Sequence, residues 1–220
     1  MDAKPFGDPR TAKILVIGHD PRLQRSDTIA PFCFFADYYF RAIPTQPSER
    51  AKYKLASALF ACVRYLTNNA YADDHVLVTN LCNTSLPHAP KSKTVLIPEP
   101  AAREGLQGIR DLLSMSSITI IFPMSLQVNY WLQKLGFYVS EPGFVADSEP
   151  RRKGLQSDPP YYQPTKDRTF QRICGNRYIG DDKYALFPIL HIKQWPLQNN
   201  FARAYSHAYE RCRNSLNGTQ

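Results

Sequence analysis

Four short apolar runs constrain the fold of this chain most, because each has the length and character of a buried strand. They cover residues 14–17, 76–79, 118–122 and 184–190. The stretches between them carry helical patterns, the clearest at residues 49–68, where apolar side chains recur every three or four positions; further helices are predicted at 101–115, 126–135 and 200–216. Strands joined by helical crossovers form parallel sheets. The sequence therefore predicts an α/β fold with three α/β/α layers around a central, mostly parallel four-stranded sheet.

The length of 220 residues fits a single domain spanning residues 1–220. Residues 1–12 are polar and are expected to form a tail or loop. Residues 137–183 contain many prolines and no sustained periodicity, which predicts a long irregular insertion. Its basic residues alternate with aromatic ones, a composition suited to phosphates and stacked bases, although a solvated loop would have the same composition.

The charge of the chain favours a polyanionic partner. Lys and Arg number 27 against 19 Asp and Glu, a formal net charge of +8, which does not separate nucleic acid from an anionic membrane. No apolar run approaches the ~18 residues of a membrane span, and residues 1–13 lack the apolar core of a signal peptide. We therefore expect a cytoplasmic protein that needs no membrane.

The cysteines argue against a metal centre. The chain has five, none in a Cys-x-x-Cys arrangement, whereas zinc or iron–sulfur ligation needs about three or four clustered ligands. They are expected to be reduced and mostly buried, and no metal or other cofactor is expected.

Polar residues follow three of the apolar runs. Asp20 comes after the first run, two positions beyond Gly18, Asn80 comes after the second and His191 after the last. The carboxyl ends of parallel strands meet at one edge of a sheet, so these side chains are expected to converge there. Each also has a simpler interpretation, since Gly-x-Asp-Pro is a common turn, Asn often caps or turns, and a single His often packs or caps.

Two further features suggest contacts to a ligand. Residues 32–40 contain six aromatic side chains against which a planar ligand could stack, although they could equally be ordinary core. Lys91 and Lys93 could contact phosphate, although solvated loop lysines are commoner.

The order of these motifs resembles the uracil-DNA glycosylase superfamily. In its best-known branch a strand runs into Gly-Gln-Asp-Pro-Tyr-His, which residues 18–21 resemble, and Leu-Cys-Phe-Ser follows, which residues 32–35 resemble. A strand ending in Asn is similar to residues 76–80, and the family's His-Pro-Ser-Pro-Leu motif is matched weakly by His191 and Trp195.

The resemblance implies a role for each matching residue. Asp20 would stabilise the sugar cation and orient water, and His191 would offset the charge of the departing base. The substrate-binding residues would be Gly18, His19, Phe34, which stacks on the flipped base, and Asn80, which reads its Watson–Crick edge. DNA contacts would come from Lys91, Lys93 and Trp195, with Trp195 as the wedge that fills the vacated stack.

The resulting hypothesis is a monomeric, monofunctional DNA glycosylase that removes uracil or another deaminated base from single- or double-stranded DNA. The chain departs from the family where His19 replaces a Gln, where Arg22 replaces a Tyr, and where the Ser-Pro elements after the last His are missing. An alternative is therefore a catalytically inactive protein of the same fold that binds DNA or a nucleotide. An unrelated α/β enzyme acting on a small phosphorylated substrate is a third hypothesis, disfavoured because the chain has no glycine-rich phosphate loop.

Overall fold

The computed structural model describes residues 3–19, 32–41, 43, 46–83, 94–149, 161–162, 169–197 and 203–218. Its strands are β1 (Ile14–Gly18), β2 (Val76–Asn80), β3 (Thr94–Val95), β4 (Ile120–Pro123), β5 (Tyr161–Tyr162), β6 (Tyr178–Gly180) and β7 (Tyr184–Leu186). Its α-helices are α1 (Pro47–Leu66), α2 (Glu99–Ser114), α3 (Leu126–Lys134), α4 (Phe144–Asp147), α5 (Thr169–Ile173) and α6 (Ser206–Asn217). Short 3-10 helices cover Cys33–Phe40, Asp73–His75 and Ile192–Gln194.

The main sheet has five strands in the order β2-β1-β4-β7-β6. The first three pairings are parallel, whereas β6 runs antiparallel to β7, so the sheet is mixed. The predicted α/β class is confirmed, but the prediction of four strands is wrong. The four apolar runs do supply the four neighbouring parallel strands; the fifth strand is only three residues long and carries no apolar run that a sequence pattern would reveal.

Helices cover both faces of this sheet. Ile14 and Val16 belong to an apolar cluster that contains side chains of α1 and α6. Leu15 and Ile17, which point the other way along β1, belong to a second cluster with side chains of α2 and α3. The complete burial of β1 on both faces explains its unbroken apolar sequence.

The stretch at 137–183 is not irregular throughout, which corrects the sequence prediction. It contains α4, β5, α5 and β6, and β5 pairs antiparallel with β3 to form a separate two-stranded sheet. Residues 150–160 and 163–168 lie outside the described part of the chain. The turn from β6 to β7 is tight, with positive φ angles at Asp181 (42°) and Asp182 (60°).

The start of the chain is part of the fold rather than a tail. Phe6 and Val78 exchange backbone hydrogen bonds of 2.9 and 2.8 Å, and the Ala3 N–H donates to Asn83 O at 3.1 Å. The Cys33 N–H donates to Lys4 O at 3.0 Å on the other side of the same segment. Residues 3–6 therefore cover the edge of β2 and connect it to Phe32 and Cys33, a pairing that composition does not reveal.

Within the described ranges, no helix has both the length and the apolar character needed to cross a lipid bilayer.

Candidate active site

The carboxyl edge of the sheet brings three of the predicted site residues together. Gly18 and Asn80 are partners in the parallel register of β1 and β2. The pairing of β4 with β7 continues beyond both strands through a bridge between Met124 and Ile189, so His191 emerges at the same edge. Asp20, Lys91 and Lys93 lie outside the described residues.

Phe34 lies directly over Gly18. A Cβ atom added to Gly18 would stand 2.2 Å from Cε2 of Phe34 and 2.4 Å from Oδ1 of Asn80. The Phe34 ring is also 5.8 Å from the His191 ring, measured between centroids. The edge therefore holds a half-exposed aromatic ring with an amide and an imidazole beside it, and only glycine fits at position 18.

Phe34 reaches this place through an unusual backbone. Phe34 and Phe35 both have left-handed conformations, with φ angles of 56° and 52°. Bulky residues rarely adopt positive φ, and such positions cost on the order of 1–3 kcal/mol and persist only where the surrounding structure enforces them. Here the backbone is held on both sides by the hydrogen bonds from Cys33 N to Lys4 O and from Phe35 N to Phe32 O, which is 3.1 Å long.

Asn80 carries an amide group with unused hydrogen-bonding capacity. The side chain is 2% exposed, and its Nδ2 atom has no hydrogen-bond partner among the described residues. Leaving a buried donor unsatisfied costs about 1–3 kcal/mol, so such groups in native proteins call for an explanation. A ligand that accepts this hydrogen bond at the sheet edge would supply one.

The loop after β2 is fixed against both neighbouring elements. Leu81 N donates to Gly18 O at 2.8 Å, and Cys82 N donates to His19 O at 3.1 Å. On the far side α2 approaches so closely that a Cβ on Gly105 would lie 1.6 Å from Leu81 O. The backbone that carries Asn80 therefore has little room to shift. The backbone of the buried residue His19 is fixed to the same loop by its hydrogen bond with Cys82.

His191 begins the short 3-10 helix Ile192–Gln194, and its ring caps that helix. Its Nδ1 atom accepts a hydrogen bond of 3.2 Å from the Lys193 N–H. A neutral imidazole whose Nδ1 accepts a hydrogen bond carries its own proton on Nε2. The structural role of the ring therefore fixes Nε2 as a hydrogen-bond donor.

Cys33, the residue before Phe34, does not qualify as a nucleophile. Burial raises the pKa of its thiol to about 12, and the sulfur lies 3.8 Å from Asn83 Oδ1. A nucleophilic cysteine needs a lowered pKa in a polar, accessible setting. Cys33 is therefore not a candidate for a catalytic group at this edge.

Trp195 is held within the protein. Its ring stacks on Tyr209 at 5.7 Å between centroids and contacts Tyr65 at 5.1 Å. It packs against the cluster formed by α1 and α6. This arrangement gives Trp195 a packing role, and the predicted wedge role gains no support from it.

Ser125 is a residue at this edge that the sequence did not single out. It precedes α3 with φ 79°, its N–H donates to Ile189 O at 2.9 Å, and its hydroxyl is buried without a hydrogen-bond partner among the described residues. A serine after a strand is too common to be noticed in a sequence, and its unusual backbone leaves no sequence signal.

A cleft of about 330 Å³ opens elsewhere, at the amino-terminal ends of β4 and β7. Its walls include Thr119, Ala185, Arg177 and Lys183, and none of the predicted site residues within the described part of the chain lines it. Within the described residues, no group of three or more His, Cys, Asp or Glu side chains could hold a metal ion.

No protein-family model matches this chain, and the comparison with curated proteins gives no match. The relationship to the uracil-DNA glycosylase superfamily therefore remains a prediction from the motifs.

Proposed function

We propose that this protein is a DNA glycosylase that hydrolyses the N-glycosidic bond of uracil or another deaminated base flipped out of DNA. The observation that carries the proposal is the meeting of Phe34, Asn80 and His191 over Gly18 at one sheet edge. The three side chains offer a stacking surface, an unpartnered amide donor and an imidazole donor, which are the groups needed to hold a planar base by its face and its polar edge.

In the proposed binding mode the flipped base stacks on Phe34. The Asn80 Nδ2–H donates to a carbonyl oxygen of the base, and Asn80 Oδ1 accepts from the neighbouring ring N–H. Both partners exist on the Watson–Crick edge of uracil, which explains why a buried amide would be kept unpaired in the free protein.

In the proposed reaction the bond between C1′ and the base nitrogen breaks, and its electron pair leaves with the base. The sugar becomes an oxocarbenium-like cation, which the Asp20 carboxylate stabilises while it orients water for attack at C1′. The water supplies hydroxide to C1′ and its remaining proton ends on the base. His191 Nε2–H donates to the base carbonyl oxygen and offsets the developing negative charge.

The test is an excision assay on labelled single- and double-stranded oligonucleotides that carry uracil, hypoxanthine or xanthine. We expect release of at least one base by the native protein and its loss in Asp20→Asn. Asp182→Asn, in the exposed turn between β6 and β7, is the matched control, because Asn tolerates the positive φ of that position. Full activity of Asp20→Asn would overturn the proposed mechanism.

The alternative of a catalytically inactive binding protein rests on the departures at His19 and Arg22 and on the missing Ser-Pro elements. It predicts no release from any of these substrates while salt-dependent DNA binding persists in Asp20→Asn. Base release in the excision assay, together with DNA binding measured at several salt concentrations, separates the two functions.

A further inference from the structure

A second group of aromatic and basic side chains lies beside the candidate site. Phe35 and Tyr38 meet edge to face at 6.1 Å between centroids. Lys52 Nζ, from α1, is 5.5 Å from the Phe35 ring and 5.2 Å from the Tyr38 ring. The Arg41 guanidinium lies 4.7 Å over Tyr38. We call these four residues the cation–aromatic surface.

The two rings of this surface lie outside the two apolar clusters of the core. Phe34 and Tyr39 pack against the apolar cluster on the α1 side of the sheet, whereas Phe35 and Tyr38 belong to neither apolar cluster and are half-exposed. Part of each residue remains accessible to a ligand, with the Lys52 ammonium near both rings. Proteins that bind single-stranded nucleic acids commonly use such aromatic rings to stack bases and such basic side chains to contact phosphates.

The charge of the surface is positive. Arg41 Nη2 lies 2.5 Å from a carboxylate oxygen of Asp37, so this pair is close to neutral. Lys52 makes no ion pair with any described residue and contacts Tyr38 Oη at 3.4 Å, so it supplies the uncompensated charge. One lysine held between two rings can reach a phosphate while a base covers an adjacent ring face.

The surface is continuous with the site through the backbone. Phe34 and Phe35 are consecutive and both left-handed, which places the first ring over Gly18 and the second against Tyr38 and Lys52. A strand whose flipped base stacks on Phe34 would therefore meet Phe35 and Tyr38 with its neighbouring nucleotide.

We propose that the cation–aromatic surface binds the unpaired nucleotide next to the flipped base, and that the protein accordingly acts on single-stranded DNA. The neighbouring base would stack on Phe35 and Tyr38 while Lys52 binds a phosphate. In a duplex the neighbouring bases are stacked in the helix and offer no free face. This inference rests on the proposed function, since it assigns the strand preference of the same site.

The experiment measures binding of a short labelled oligothymidylate by fluorescence anisotropy at several salt concentrations. Oligothymidylate contains no deaminated base, so binding is observed without excision. Tyr38→Leu should weaken binding about fivefold or more, the effect of losing one stacked base. Lys52→Gln should weaken binding and reduce the slope of log affinity against log salt by about 0.7, the effect of losing one phosphate contact on a single strand.

Lys54→Gln is the matched control, because Lys54 lies on the same helix, is exposed and contributes the same charge. It should leave affinity near that of the native protein. Affinities of Tyr38→Leu and Lys52→Gln equal to that of Lys54→Gln, or an absence of single-strand binding by the native protein, would overturn the inference. If Tyr38→Leu does not fold, the affinity of Lys52→Gln and its salt dependence, compared with those of Lys54→Gln, test the inference on their own.

Failure of this inference differs from failure of the proposed function. The inference fails, and the function stands, if base release occurs while neither variant affects single-strand binding. The proposed function fails, and the surface stands, if both variants weaken binding but no substrate loses its base.

Discussion

Two buried asparagines show how differently the same residue type is used in this protein. Asn129 is fully buried and satisfied: its amide donates to Pro123 O at 3.2 Å and Ser125 O at 2.7 Å, and its oxygen accepts from Tyr138 Oη at 2.6 Å. Asn80 is equally inaccessible, but its Nδ2 atom has no such partner among the described residues. The amide of Asn129 is therefore satisfied within the fold, whereas the Nδ2 donor of Asn80 has lost its contact with water without gaining a partner among the described residues.

Replacing each of them with Ala should therefore separate stability from function. We expect Asn80→Ala to change the free energy of unfolding by less than about 1 kcal/mol, because an unsatisfied donor is removed along with the side chain. Asn129→Ala should lose about 2–4 kcal/mol, since it leaves several buried partners unpaired. Urea unfolding of both variants measures the difference, and base release should vanish only in Asn80→Ala. A large loss of stability in Asn80→Ala would show that its role is structural.

Some residues of the site could be predicted from sequence and others could not, for a physical reason. Gly18, Asn80 and His191 follow apolar runs, so the parallel pairing of those runs places them at one edge. The pattern of apolar runs cannot predict that the Phe34 ring lies over Gly18. Nor can it predict that Ser125, which precedes α3, has a positive φ. Both conformations oppose the residue's own preference and are imposed by neighbours distant in sequence.

At the scale of elements, helix α2 has two glycines in contrasting surroundings. A Cβ on Gly105 would lie 1.6 Å from the backbone oxygen of Leu81, whereas a Cβ on Gly108 would meet nothing within 4 Å. The first glycine allows α2 to press against the loop that follows β2. Gly108 makes no close contact that requires a glycine, so its only effect is to lower the stability of the helix.

The pair Gly105→Ala and Gly108→Ala tests this contact. Gly105→Ala should destabilise the protein by about 1–3 kcal/mol or more, because a backbone oxygen cannot move aside as a flexible side chain can. Gly108→Ala should stabilise it by about 0.5–1 kcal/mol through helix propensity. Thermal unfolding measures both. Equal effects of the two substitutions would contradict the close approach of α2 to Leu81.

The β6–β7 hairpin is one of the features that sequence patterns missed. Its first strand has one buried residue of three, so it lacks the alternation that identifies longer strands. The signal that could have found it is the Asp181-Asp182 pair, since Asp tolerates the positive φ that tight hairpin turns need. Those residues sit at the end of a proline-rich stretch, whose composition hid the turn.

At the scale of the whole molecule, the α/β class was predictable because it depends only on alternation. Four apolar runs with helices between them permit few arrangements, and the structure places the four resulting strands side by side. The number of strands, the antiparallel edge and the use of residues 3–6 depend on short pairings that leave no periodic signal.

The burial of cysteine thiols and tyrosine hydroxyls should lower the stability of the folded protein at alkaline pH. Burial raises the pKa of Cys33 and of Tyr205 to about 12, and it also raises the pKa of Cys62, Cys174 and Tyr209. These groups must stay protonated in the folded state, whereas in the unfolded chain the cysteine thiol ionises near its ordinary pKa of 9.0. Their contribution to stability is therefore complete below about pH 9 and is lost as the pH rises towards about 12.

We accordingly expect the free energy of unfolding to fall steadily above about pH 9, in urea titrations at constant ionic strength. All five cysteines are buried, so Ellman's reagent near pH 8 should react with them only after unfolding. Rapid labelling of the native protein, or stability that does not change between about pH 8 and pH 11, would contradict this expectation.

Residues 3–6 should protect this protein against aggregation on storage. They occupy backbone groups at the edge of β2 that would otherwise be open to another molecule. A protease that trimmed these residues would leave strand β2 ready to recruit a second copy edge to edge, the first step towards a fibrous precipitate. Intact and trimmed samples should therefore differ in turbidity on storage, with the trimmed sample becoming turbid first.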